Sequence, residues 1–167
     1  MFTLFFATIA YYRGLDPVAF AVGRESLSLV LGVVNTFFLL TGSWFVVRGV
    51  RYYGCANRTD AARYLLLGAV TGLLFLFNKA IEWSELARRE LTPNSSEFYM
   101  VYYVFTAIHG FHVVIGSILL LTIYGKLQRQ GVLAASPADE SVAGVGLFWH
   151  MIDLLWIMLF SLFYLSA

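Results

Sequence analysis

Four stretches of this chain are each long and apolar enough to cross a bilayer, and that leaves few architectures open. They lie near residues 27–50, 62–84, 97–124 and 142–166. Roughly 20 helical residues cover a hydrocarbon core about 30 Å thick, so each run is a candidate transmembrane helix. A fifth run, residues 1–12, would rise only about 18 Å as a helix, too little to cross alone. It reads as a short helix or as the second half of a spanning helix that begins upstream of Met1. With no basic segment ahead of it and no small-residue cleavage site after it, it does not read as a signal peptide. The expected fold is therefore all-α: one polytopic transmembrane bundle over residues 1–167, with four full spans and a partial first one.

Composition supports this, since 60% of the residues are hydrophobic and only 13% are charged. A soluble domain of this size could not cover so much apolar surface. A net charge of +1 gives no electrostatic ground for binding nucleic acid. The single cysteine, Cys55, excludes an intrachain disulfide and a CxxC site. The expected loops are residues 13–26 with Pro17, 48–63, 88–96 with Pro93, and 125–141 with Pro137. All are short, so consecutive helices should run antiparallel. The second and fourth carry Arg48, Arg51, Arg58, Arg63, Lys126 and Arg129, against Arg13, Arg24, Arg88 and Arg89 on the other face. That margin predicts cytoplasmic second and fourth loops and an outward C terminus.

Polar residues inside the apolar runs need a reason, because a lone charge at such a depth costs several kcal/mol. In the third run Lys79 and Glu82 are spaced i,i+3 and can neutralise each other. Their place in its last turn predicts an interfacial pair, with Lys79 snorkelling and Trp83 in the aromatic belt. A lipid-headgroup site or a subunit contact is the functional alternative. In the fourth run His109 and His112 share a stripe at i,i+3. Two ligands on one helix cannot take opposite faces of a haem iron, and zinc or copper would need a third ligand from His150, Asp153 or Glu82. The expectation for the pair is interhelical hydrogen bonding, then lipid or subunit contact.

In the last run Trp149, Asp153, Trp156 and Phe160 share a face, and His150 reaches Asp153 at i+3. A histidine and an aspartate that share a proton make their joint burial tolerable, so Asp153 is expected to hydrogen-bond His150 or a polar group of the fourth run. No nucleophile, phosphate-binding loop or acid–base pair accompanies them, so hydrolysis and phosphoryl transfer find no support.

Together these blocks resemble subunit III of the haem-copper respiratory oxidases, over nearly the whole chain. Val34-Asn35-Thr36-Phe37-Phe38-Leu39-Leu40 resembles the family's L-N-T-x-x-L-L, and Ala80-Ile81-Glu82-Trp83 stands where the family has an E-Y pair. Residues 106–116, which include His109 and His112, resemble T-G-x-H-G-x-H-V-x-I-G. Residues 148–156 resemble Y-W-H-F-V-D-x-x-W. The first two helices of long family members have no counterpart here, and a family glutamate known for lipid and carbodiimide binding would fall just ahead of Met1. The stretch Glu97-Phe98-Tyr99-Met100-Val101-Tyr102-Tyr103 looks more like the short bacterial proteins encoded with nitric oxide reductases.

The resemblance implies a non-catalytic accessory subunit in a bacterial inner membrane, with no cofactor of its own. Haem, with or without copper, would belong to a catalytic partner of the oxidase or nitric oxide reductase type, and phospholipid would be bound. Glu82, Trp83, His109, His112, Trp149, His150, Asp153 and Trp156 are the candidates for lipid or subunit contact, with no catalytic residue and no metal ligand assigned. The competing readings are an independent haem b or quinone oxidoreductase using the three histidines, and a small transporter using Glu82 or Asp153.

Overall fold

The computed structural model describes residues 7, 8, 11, 14, 17–129 and 140–165, and every regular element among them is helical. In chain order they are α1 (Pro17–Ser26), α2 (Leu29–Gly54), α3 (Arg58–Arg88), α4 (Glu97–Arg129) and α5 (Glu140–Phe160), which runs on into a π-helical turn, Ser161–Leu165. The last four are long and apolar enough to cross a membrane, so the four expected spans are all present. The short span expected over residues 1–12 lies outside the described residues, apart from Ala7, Thr8 and Tyr11.

One expected loop is instead a helix. Pro17 punctuates residues 13–26, but it occupies the first position of α1, where its fixed φ suits a helix and its missing N–H costs nothing. α1 leans on α4, where Phe20 meets Phe98 edge to face at 5.2 Å and Ser26 accepts a 2.8 Å hydrogen bond from the Tyr99 hydroxyl. The α2–α3 turn is tighter than the expected 48–63 loop, comprising only residues 55–57. Ala56 takes a φ of 58° to reverse the chain, and the Asn57 side chain caps α3 by accepting from the Asp60 N–H at 3.2 Å.

Each long helix packs on two others: α2 on α3 and α5, and α4 on α3 and α5. Glycines let the closest pair approach, since a Cβ on Gly68 of α3 would stand 2.7 Å from Val46, and one on Gly49 of α2 would stand 2.8 Å from Leu65. The core holds Leu39, Val46, Leu65, Phe75, Tyr102, Leu120, Trp149, Trp156 and Phe163. Phe37, Trp44, Phe77 and Phe111 face outward instead, an arrangement suited to lipid and not to water. The π turn brings adjacent Phe163 and Tyr164 both to the inside.

Candidate functional site

One buried polar group is built on α3. Lys79 and Glu82 sit one turn apart on its inward face, 4% and 2% exposed, with Nζ 2.9 Å from Glu82 Oε2. The ammonium also donates to the hydroxyls of Tyr102 on α4 at 2.8 Å and Tyr164 in the π turn at 3.1 Å, which engages all three of its hydrogens. Tyr164 in turn donates to the other carboxylate oxygen of Glu82. Aromatic faces close the site, with Nζ 4.7 Å from the Tyr102 ring centre and 5.1 Å from that of Trp156. The pair predicted from spacing is thus present, but the snorkelling lysine is not. The inward face of α3 sets the depth of the pair, and Lys79 reaches across the bundle instead of out of it. Trp83 is half-buried against Tyr103, ring centres 5.5 Å apart.

A second set of ties begins in the Asn35-Thr36 dipeptide of α2. Asn35 is fully buried and accepts a 2.8 Å hydrogen bond from Asn78 of α3, whose amide also donates to the Leu31 carbonyl at 3.2 Å. Thr36 accepts from the Trp156 indole N–H at 2.9 Å while donating to the Gly32 carbonyl. Adjacent residues on one helix therefore bind α2 to two different neighbours, α3 and α5.

The histidines of α4 depart from expectation. His109 is buried, yet neither ring nitrogen has a hydrogen-bond partner among the described residues. Its ring packs instead against Trp156 at 5.3 Å and edge to face against Phe75 at 5.4 Å. His112 turns its Nδ1 back to the Ile108 carbonyl of its own helix at 2.7 Å. Neither makes the predicted interhelical hydrogen bond among the described residues, because His109 faces the rings of Phe75 and Trp156 and His112 that of Phe148. Among the described residues, no three His, Cys, Asp or Glu side chains are grouped as a metal would require.

On α5 three residues of the predicted face, Trp149, Asp153 and Trp156, are buried, while Phe160 is half-buried and stacks on Tyr164 with ring centres 5.2 Å apart. Trp149 fills a socket walled by glycines of three helices. A Cβ on Gly42, Gly72 or Gly116 would lie 3.4, 2.8 or 3.1 Å from its ring. Asp153 does not make the hydrogen bond expected of it. His150 Nδ1 lies 3.7 Å from Oδ2, an ion-pair separation, and neither carboxylate oxygen has a partner within hydrogen-bond distance among the described residues. Ser43 of α2 takes the imidazole instead, with Oγ 2.7 Å from Nδ1. The partner comes from α2, not α4, because His150 lies on the side of α5 that meets α2.

The structure thus gathers Glu82 and Trp156 into one layer with Lys79, the other member of the predicted pair, and with Tyr102 and Tyr164, which sequence reasoning had not selected as site residues. Trp149 occupies its own socket, His150 and Asp153 sit at the α2–α5 seam, and Trp83 and His112 lie nearer the surface. Only the i,i+3 spacing of Lys79 and Glu82 signalled that layer in the sequence. What the layer can do chemically is hold α3, α4 and the π turn in register, since each of its charged or hydroxyl groups is tied to another within the chain.

The family model described as cytochrome c oxidase subunit III matches residues 2–167. A "Cytochrome c oxidase subunit 3" of Thermostichus vulcanus is 30% identical over 169 residues, covering 99% of this chain and 80% of that protein. The protein of the same name in Synechocystis sp. is 28% identical over 160 residues, 96% of this chain and 67% of the relative. A "Heme-copper oxidase subunit I+III" of Aeropyrum pernix is 30% identical over 137 residues, which make up 81% of this chain and 16% of that much longer protein.

Proposed function

The chain belongs to the cytochrome c oxidase subunit III family, and we propose that it is the non-catalytic accessory subunit of a haem-copper respiratory complex. The family match over residues 2–167 carries this reading. The geometry supports it, because family-block residues Asn35, Thr36, Glu82, Trp149 and Trp156 are occupied in holding this chain's own helices together. His109, the most buried of the histidines, is wedged between Phe75 and Trp156. Electron transfer would then belong to haem, with or without copper, in the catalytic subunit. A relative whose name joins subunits I and III points to the same partner.

The finer parts of the reading rest on the sequence. The α2–α3 turn, flanked on its helices by Arg48, Arg51, Arg58 and Arg63, and the 125–141 connection would face the cytoplasm of a bacterial inner membrane, with the C terminus outward. Phospholipid would line the outward apolar faces, where the Arg48 guanidinium lies 5.1 Å over the Trp44 ring in a cation–π contact. A nitric oxide reductase is the second reading for the partner, favoured by the resemblance of residues 97–103 to the short branch of the superfamily.

Purifying the complex through a tag on this chain in mild detergent tests the proposal. Mass spectrometry should identify a haem-copper catalytic subunit in constant ratio to the chain, and turnover with oxygen or nitric oxide then names the acceptor. Haem that stays with this chain after the partner is removed would contradict the proposal and favour an independent haem protein.

A further inference from the structure

One part of the outer surface is polar at a depth where lipid is not. On α2, Ser43 stands between Leu40 and Val47 at i−3 and i+4, and on α5, His150 stands between Leu147 and Leu154 at the same spacings. Each trio therefore shares one helix face. All four apolar residues are exposed, Leu147 and Leu154 at 72% and 63%. The Ser43–His150 hydrogen bond holds the two stripes side by side. At 1.5 Å per residue, Ser43 lies about 16 Å from the Gly54 end of α2 and His150 about 14 Å from the Ser141 end of its span.

The imidazole is 35% exposed, and behind it Asp153, only 4% exposed, has no hydrogen-bond partner on either oxygen among the described residues. The carboxylate and the Ser43 oxygen both lie on the Nδ1 side of the ring. A proton on Nδ1 is favoured there, which leaves the Nε2 lone pair as the atom offered outward. Acyl chains carry no donor for it. A second copy docking symmetrically would set acceptor against acceptor and Asp153 against Asp153. What fits is a helix of another protein bearing a hydrogen-bond donor.

We propose that this α2–α5 seam is where the catalytic subunit docks, through a transmembrane helix whose donor side chain meets His150 Nε2. The proposal rests on the accessory-subunit reading, and adds to it a face and a chemistry. Leu40, Val47, Leu147 and Leu154 form an apolar rim that excludes lipid from the polar centre.

A photo-crosslinking residue placed at Leu154 in the intact complex, in its own membranes, tests the face, with Phe77 on α3 as an exposed site outside the seam. The Leu154 position should crosslink to the catalytic subunit and the Phe77 position should not. His150→Leu should lower the fraction of chain retained with the catalytic subunit by roughly three- to tenfold, and His150→Gln, which keeps an acceptor, should restore it. Crosslinks from Leu154 only to lipid, to a second copy or to residues 1–16 of the same chain would overturn the proposal, as would full retention of the His150→Leu variant. If the catalytic subunit copurifies but crosslinks from Phe77 instead, the docking face is wrong and the accessory reading stands. If no haem-copper subunit copurifies, that reading falls first.

Discussion

Lys79 is buried away from water, and its burial depends on Glu82 and on two tyrosines from other segments. Breaking a buried pair by removing one member costs roughly 3–5 kcal/mol, whereas replacing both members with apolar residues is often nearly neutral. Lys79→Met should therefore lower thermal stability in detergent steeply, and Lys79→Met with Glu82→Leu should recover most of the loss. A single variant as stable as the double would show that the charges are not coupled. Thr36→Val removes the acceptor of the Trp156 indole and leaves a buried N–H unpaired, a loss of about 1–3 kcal/mol readable in the same melt. No loss would mean that the α2–α5 tie is dispensable. The i,i+3 spacing made the Lys79–Glu82 pair legible in the sequence, but not its depth or its tyrosines. Depth depends on which face of α3 turns inward, and Tyr102 and Tyr164 arrive from segments 23 and 85 residues away from Lys79. His109 misled for a related reason: a polar residue in an apolar run implies a partner, and here the neighbours are Phe75 and Trp156 rings.

Helices α2, α3 and α4 are held around Trp149 by the absence of side chains as much as by their presence. A methyl group at Gly72 would meet both Ser117 Oγ at 2.6 Å and the Trp149 ring at 2.8 Å, so one helix must shift to admit it. Gly72→Ala should destabilise the bundle by about 1–3 kcal/mol, and Trp149→Phe in that background should recover part of it. If Gly72→Ala melts like the parent chain, α3 is not packed against Trp149 as described. The four spans were legible because a run of 20 or more apolar residues admits little else, and the shared face of Trp149, Asp153 and Trp156 followed from the helical period. Helix α1 was not legible, since a proline after a glycine and an aspartate marks a turn as readily as a helix start, and the contact with Phe98 and Tyr99 that favours the helix lies more than 70 residues away.

For the whole molecule, the distribution of arginine predicts orientation, and the buried polar layer predicts role. A cysteine added after Ala167 in a Cys55→Ser background should react with an impermeant maleimide from the outside of intact cells, and labelling only after the cytoplasmic side is opened would reverse the topology. The role follows from a bundle whose polar atoms mostly serve its own helices, in a chain whose family accompanies haem-copper oxidases. Such a subunit should matter to the endurance and assembly of its complex more than to each turnover. The most direct test is an assay of membranes from cells lacking this chain. Initial oxygen or nitric oxide reduction per haem should stay close to that of the parent, while complex yield, thermal stability or activity over sustained turnover falls. Loss of initial turnover, with the catalytic subunit present at full haem content, would contradict the account and return His109, His112 and His150 to consideration as working parts.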